Sequence, residues 1–441
     1  MRARPCVVRL AAASCLLCAT FARADQFDLF GYGPRASAMQ GAMTAEASDY
    51  TAVYYNPALL VQRKDINFGF HFQWYRMFAD VQPKDLARPV DCTYCTPPDS
   101  VGYSLGLAVP LGGKVKDRVA IGVGVYLPST RLLRLFAPDA NLPYWYLYNS
   151  NPDRIMLHLG VGVKITDWLN VGAGVQGLAD LVGKGAHVTV DIFSKSVLSR
   201  EIDSTLLTRG GPVFGVWVSP LKNLRFGAVF RWEIKLIYQI PASVDIRGVG
   251  ELAFAVTGVA HYTPHNLALG AAWDITPNFT VSLDGQWMNW SAAPSPYSDL
   301  SIKICGATLD ALGLCPAFNL NSPNQKPGFS DTINGRLGVE YRVSERFAAR
   351  AGVSYRPTMV PKQDAAGTNL LDGDTVGFSA GVGFNFNDPL EIFKSPIQID
   401  LAAQGAVVLA REANKDPTDS VPSYGYSSRI FGVNAAVRYD F

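Results

Sequence analysis

Between Arg346 and Arg356 the chain carries two unlike faces. Arg346, Ala348, Arg350, Gly352, Ser354 and Arg356 take alternate positions, and Phe347, Ala349, Ala351, Val353 and Tyr355 take the others. A period of two marks a β-strand, whose successive side chains point to opposite sides. The pattern recurs. Ile66, Phe68, Phe70, Phe72 and Trp74 alternate with Asn67, Gly69, His71 and Gln73. Leu224, Phe226, Ala228, Phe230 and Trp232 alternate with Arg225, Gly227, Arg231 and Glu233. Ile333, Leu337, Val339 and Tyr341 oppose Asn334, Arg336, Glu340 and Arg342. Segments 102–110, 118–126, 155–164, 169–180, 212–218, 267–274, 280–290, 375–386, 396–408 and 429–441 extend the series to about fourteen strands.

In water, the apolar face of such strands would form a core. Here one face is charged, small or glycine-rich and the other wholly apolar, as expected of a barrel whose outer solvent is lipid. The connections support this. Short ones fall at 111–117, 165–168, 219–223, 276–279, 343–345 and 387–395. Long ones fall at about 77–101, 127–154, 181–211, 234–265, 291–332, 357–374 and 409–428. Long–short alternation is expected of strands that zigzag through a membrane, with tight periplasmic turns and large outer loops. Closing the sheet also removes edges that lipid cannot hydrogen-bond. The expected fold class is therefore all-β: a transmembrane antiparallel β-barrel of about fourteen strands.

Composition agrees. The 441 residues are 48% hydrophobic and 17% charged, with 40 glycines; about a quarter charged is usual in soluble chains. After the N-terminus there is no apolar run of the roughly twenty residues that a helical span needs. Residues 1–24 read as a signal peptide: Arg2, Arg4 and Arg9, an apolar run from Leu10 to Ala19, then Ala22-Arg23-Ala24. Ala12-Ala13-Ser14-Cys15 keeps a lipoprotein signal as an alternative. Losing 1–24 removes four arginines and no acid, so the formal charge falls from +2 to −2. No strong basic field then remains to bind nucleic acid. Export implies the outer membrane of a Gram-negative bacterium. Phe431, Val433, Ala435, Val437, Tyr439 and Phe441 alternate to the last residue, and Phe441 looks like the signal read by the machinery that inserts outer-membrane barrels.

Residues 25–62 do not alternate. They are rich in small residues, with Gly31, Gly33, Ala36, Ser37, Ala38, Gly41 and Ala42. So short a stretch cannot fold alone, but it can pack inside a barrel too wide for its own side chains to fill. The chain therefore divides into a signal (1–24), an N-terminal hatch (25–62) and the barrel with its outer loops (63–441).

Phe30-Gly31, Arg35-Ala36-Ser37-Ala38-Met39, Gly41-Ala42, Asp49 and Tyr54-Tyr55-Asn56-Pro57-Ala58-Leu59 together resemble the start of the FadL/TodX (OMPP1) family of outer-membrane channels for long-chain fatty acids and aromatic hydrocarbons. The resemblance implies a fourteen-stranded barrel plugged by its hatch. It also implies capture of a hydrophobic ligand at the outer loops, a binding site in the lumen, and sideways release through a gap in the wall. By the same resemblance, Asn56, Pro57 and Ala58 sit in the hatch near that gap. Pro57 has no N–H and restricts Asn56, so a sheet cannot continue there.

Two kinds of residue could serve a hydrophobic ligand. Leu132, Leu133, Leu135, Phe136, Tyr144, Trp145 and Tyr146 lie in one outer loop, and Leu252, Phe254 and Val256 in another. Apolar loops either pack together or hold a ligand; a capture groove between the two is the expectation. Arg231, Arg336 and Arg350 fall on inward faces and could hold a carboxylate bidentately. If 333–342 runs down and 346–356 up, Arg336 and Arg350 can be neighbours above mid-height. The alternative is that these arginines pair with Glu340, Asp284 or Asp400.

Cys92, Cys95, Cys305 and Cys315 follow the signal. An even count in an exported chain favours disulfides, and a metal site would need four thiolates to converge across two loops. Gly172, Gly174 and Gly177 fit G-x-G-x-x-G, but they sit on an alternating strand and do not open a helix. Like Gly160, Gly162, Gly377, Gly381 and Gly383, they would leave room in the lumen. Neither a cofactor nor a nucleophile–base arrangement is indicated, so an enzyme is not expected. A passive channel for hydrophobic compounds is the leading function, with a general polar-solute porin or a structural barrel as alternatives.

Overall fold

A computed structural model describes residues 26–441 except 86, 130, 133, 135–138, 150–152, 192–195, 247–249, 306–309, 312–318, 322–326, 363–367 and 388–394. Among the described residues, fourteen antiparallel strands close a barrel. Around the wall they are Asn67–Pro83, Ser100–Pro110, Val119–Pro128, Met156–Lys164, Leu169–Asp191, Ser196–Leu221, Leu224–Arg231, Asn266–Thr276, Phe279–Met288, Thr332–Arg342, Phe347–Arg356, Thr375–Phe386, Ile397–Ala413 and Tyr424–Asp440. The last pairs with the first from Asn67↔Asp440 to Pro83↔Tyr424, which closes the ring and leaves no free edge to the bilayer.

The two faces divide as an inside-out protein requires. Phe70, Leu159, Phe214, Leu269, Leu283, Val353, Phe378 and Leu401 are exposed on the outer face. His71, Gln73, His158, Asn170, Gln176, Glu340, Asp400 and Asn434 are buried on the inner one. No helix is long and apolar enough to cross a membrane among the described residues, and the spans are strands throughout.

Two of the expected long loops are instead sheet. Segment 181–211 belongs mostly to a tall hairpin of Leu169–Asp191 and Ser196–Leu221. Segment 234–265 is a second hairpin, Ile234–Ile246 with Gly250–Thr263. The second joins the first in parallel register from Ala186↔Ala242 to Val190↔Ile246. It also carries Asp299–Cys305 on its far edge. Alternation in Ile234, Leu236 and Tyr238 has the same period in water as in lipid, so it does not mark where the membrane ends.

Candidate functional site

Residues 26–62 pack against inward-facing residues of the wall. They form short helices at Gln26–Phe30, Pro34–Ala38 and Ala52–Tyr55 and a 3-10 turn at Pro57–Gln62. Nearly every residue is buried, including Arg35, Glu46, Asp49 and Asn56. Gly33 before the second helix has φ 88°, a conformation that favours glycine; a Cβ there would also lie 2.7 Å from Thr51.

Asn56 fastens one end of this segment. Its Nδ2 donates to the carbonyls of Thr44 (2.9 Å) and of Val216 on the wall (3.0 Å), and its Oδ1 accepts from the Ala58 amide at 3.1 Å. The seat is floored with glycine. A Cβ at Gly172 would stand 2.3 Å from the Ala58 nitrogen, one at Gly162 2.6 Å from the Pro57 carbonyl, and one at Gly215 2.2 Å from Asn56 Oδ1. The glycines of the G-x-G-x-x-G string divide: Gly172 faces the segment, whereas Gly174 and Gly177 crowd neighbouring wall strands.

A chain of alternating charges fastens the rest. Arg225 bridges Asp274 (2.7 Å) and Glu46 (3.0 Å). Arg35 bridges Glu46 and Glu340, both at 2.8 Å. Arg350 bridges Glu340 (2.7 Å) and Asp400 (2.5 Å), and Arg438 bridges Asp400 (2.6 Å) and Asp49 (3.1 Å). Arg35, Glu46 and Asp49 belong to the segment; the others belong to the wall. Burial alone would raise the Asp49 carboxyl; Arg438, Arg35 and hydrogen bonds from Thr51 outweigh it and hold the group below its ordinary value.

Toward the outer rim, between segment and wall, lies a cavity of about 770 Å³, its open mouth included. Phe27, Leu29 and Phe30 of the segment and Tyr75, Ala406 and Ile430 of the wall give it an apolar lining. Arg336 and Arg356 reach its edge. Arg356 is held by Asp372 at 2.9 Å. Arg336 is held more loosely: it donates to the Asp28 carbonyl at 3.2 Å and stands 3.9 Å from the Asp28 carboxylate, which also accepts from Gln286 at 2.8 Å. Of this lining the sequence marks only Phe30, through the family likeness; Phe27, Leu29 and Tyr75 look like ordinary members of their segments.

The three inward arginines separate. Arg336 borders the cavity. Arg231 instead donates to the carbonyls of Tyr54 and Tyr55 (2.6 and 3.2 Å) and lies over the Tyr54 ring. Arg350 is bound within the charge chain and is not above mid-height. The tight turn at 343–345 pairs Arg342 with Ala348 and therefore Glu340 with Arg350, near the lower rim. Neither is placed to receive a head group in the cavity.

The residues of the expected capture groove fall in two places. Tyr144 and Trp145 pair in parallel with Leu370 and Leu371, and Tyr146 packs on Phe329; all three are buried in an aromatic cap over the cavity. Leu252, Phe254 and Val256 lie on the outer hairpin, and Val256 packs against a different cluster. The first group packs on residues of other outer segments, whereas of the second only Val256 packs against a buried cluster and Phe254 is exposed. Leu132 is exposed; Leu133, Leu135 and Phe136 lie outside the described residues. Cys92 and Cys95 form a disulfide, Cys305 is disulfide-bonded, and Cys315 lies outside the described residues.

Beside Asn56, Pro57 and Ala58 the wall strands Val119–Pro128, Met156–Lys164 and Leu169–Asp191 stand side by side. Pairing runs without a shift of register from Val119↔Val163 to Tyr126↔Met156 and from Met156↔Leu178 to Lys164↔Asn170. Glycine on these inner faces lets the motif approach the sheet without breaking the ladder.

A closed wall of fourteen strands, apolar outside and polar inside, defines an integral β-barrel of the outer membrane. The family described as outer membrane protein transport protein (OMPP1/FadL/TodX) matches residues 13–394, and the chain belongs to it. It is similar to alkane uptake protein A of Marinobacter nauticus, 22% identical over 382 residues, which cover 80% of this chain and 77% of that one. The fold is similar to the crystal structure of a Pseudomonas aeruginosa FadL homologue (TM-score 0.59, 16% identity, 96% of this chain and 100% of that one). It is also similar to the P. putida toluene transporter TodX (TM-score 0.58, 16% identity, 94% and 99%).

Proposed function

We propose that the protein is a passive channel that takes up hydrophobic molecules: long-chain fatty acids, related lipids, alkanes or aromatic hydrocarbons. The observation that supports this reading is the cavity at the outer end of the lumen, where Phe27, Leu29, Phe30, Tyr75, Ala406 and Ile430 form one part of the lining and Gln40, Asn334, Arg336, Ser354, Arg356 and Gln404 another. In this reading residues 25–62 act as a hatch, with Asn56, Pro57 and Ala58 as its fixed end. The outer cap admits the ligand, the cavity holds it, and Arg336 meets a carboxylate head where there is one. The ligand then leaves sideways into the bilayer.

Energetics favour that route. Each CH₂ gains about 0.8 kcal/mol on leaving water, so a sixteen-carbon chain gains about 12 kcal/mol. Release into periplasmic water would forfeit this gain, and release into lipid keeps it without an energy source. A polar-solute porin would need an open bore, which the buried segment does not leave. The name of the similar alkane uptake protein adds n-alkanes to the ligands to be tried. The test compares uptake of radiolabelled hexadecane and oleate by cells that make the protein with uptake by cells carrying an empty vector. Saturable, protein-dependent uptake of either supports the reading; equal uptake of both compounds in both strains refutes it.

A further inference from the structure

The rim of tight turns carries a polar pocket, apart from the apolar cavity. It measures about 650 Å³, open mouth included, and lies beside the turn at 343–345. Five guanidinium groups line it: Arg342 and Arg346, which are exposed, Arg350 and Arg438, which are buried, and Arg35 of the segment inside the wall. The period of two brings them together. Arg342 ends one strand on its inward face, and Arg346, Ala348 and Arg350 follow on the inward face of the next. The pairs Arg342↔Ala348 and Ala348↔Gly383 set two small residues between the level of Arg346 and that of Arg350. A Cβ at Gly383 would stand 2.8 Å from both terminal nitrogens of Arg350, so glycine leaves that guanidinium uncovered.

Acid does not match this charge. Glu340 and Glu345 are the carboxylates of the lining, and five arginines less two glutamates leave it at +3. Glu340 already serves three guanidiniums: Arg35 at 2.8 Å, Arg350 at 2.7 Å and Arg342 at 3.7 Å. Arg346 has no ion-pair partner among the described residues. The side chains of Arg350 and Arg438 are only 5% and 9% exposed. Each uses Nε and Nη1 on Glu340, Asp400 or Asp49, and Nη2 of each has no hydrogen-bond partner among the described residues. A buried charged donor left without an acceptor is costly. Here two such donors belong to one pocket, with two exposed guanidiniums at its mouth.

We propose that this pocket binds a phosphate group, free or on a lipid headgroup, presented from the periplasmic side. Arginine forks fit oxyanions. A phosphate monoester carries about −1.5 to −2 charges and three strong acceptor oxygens, which suits four guanidiniums better than the single charge and two oxygens of a carboxylate. Arg342 and Arg346 receive the group, and Nη2 of Arg350 and of Arg438 complete its contacts. The site is separate from the cavity that would hold a hydrophobic ligand, and its test does not depend on transport.

The test titrates the purified full chain in nonionic detergent at constant ionic strength. One arm adds inorganic phosphate; the other adds micelles containing phosphatidic acid, with phosphatidylcholine micelles as the blank. Saturable binding is expected in both arms if the pocket takes the group itself, in the lipid arm alone if it takes a headgroup, and in the first arm alone if it takes the free anion. Arg342→Gln with Arg346→Gln should weaken that binding at least tenfold. So should Ala348→Leu, which keeps every charge and fills the pocket. Lys114→Gln with Lys116→Gln removes two charges from another tight turn and should change it less than twofold. Folding of each variant is checked by the heat-dependent shift in gel mobility typical of barrels. No saturable binding in either arm overturns the proposal. Retained affinity in the folded arginine variant or in folded Ala348→Leu also overturns it, and so does an equal loss in the lysine control.

Discussion

Arg35 reaches from the segment inside the bore to Glu340 on the wall, its Nε donating to Oε2 at 2.8 Å while both side chains are almost wholly buried. The pair is the central link of the charge chain from Asp274 to Asp49. Removing one partner of a buried pair leaves the other charge uncompensated, at a cost of about 3–5 kcal/mol. Arg35→Ala is therefore expected to loosen residues 26–62 while the barrel stays folded. Hydrogen exchange read by mass spectrometry should show faster exchange in that segment and unchanged protection in the strands. A variant whose segment is as protected as the wild type would contradict the anchoring role.

The glycine seat makes a steric prediction. At Gly172 an added Cβ would meet the Ala58 nitrogen at 2.3 Å and the Pro57 carbonyl carbon at 2.4 Å, so Gly172→Ala must push the segment or bend the strand. Overpacking of this kind costs about 1–3 kcal/mol. At Gly285 an added Cβ meets nothing within 4 Å, and Gly285→Ala serves as the control. In planar bilayers Gly172→Ala should give more frequent ion-conducting openings than either the wild type or the control.

Arg336 is the cavity arginine without a close side-chain carboxylate, the nearest being that of Asp28 at 3.9 Å. A hydrogen bond to a charged group contributes about 1.5–3 kcal/mol. Arg336→Gln should thus weaken oleate binding by at least tenfold and hexadecane binding by less than threefold. Calorimetric titration of the purified protein with each ligand checks this; equal losses for both would remove Arg336 from any head-group role.

Asp49 sets a pH expectation. Its carboxyl is held below the ordinary value in the folded protein, so its pairing stabilises the segment above about pH 4, the unfolded value. The contribution is lost as pH falls through the depressed folded value. Exchange in residues 26–62 should be flat from pH 8 to 5 after correction for intrinsic rates, and protection should be independent of Asp49 only in stronger acid. Asp49→Asn should remove part of the protection throughout the neutral range.

The barrel was readable because lipid imposes a strict period of two. Phe347, Ala351, Val353 and Tyr355 could be assigned outward and Arg350, Gly352 and Ser354 inward from spacing alone. The strand ends above the membrane were not readable, since Ile234, Leu236 and Tyr238 alternate in a hairpin much as they would in a wall. The fate of Arg350 depended on register: one residue more in the turn at 343–345 would have set it against another partner. Residues 26–62 contact the wall through backbone, glycine and scattered ion pairs, which leave no periodic trace; their reading rests on the family likeness carried by Phe30-Gly31, Arg35 to Met39, Gly41-Ala42, Asp49 and Tyr54 to Leu59.

The most direct test of a ligand site inside the barrel is native mass spectrometry of gently extracted protein after incubation with deuterated hexadecane, wild type beside Ala406→Trp, which fills the cavity. The account predicts a one-to-one adduct at the ligand mass in the wild type and none in the variant. A wild type without the adduct, or an adduct of equal abundance in both, would contradict it.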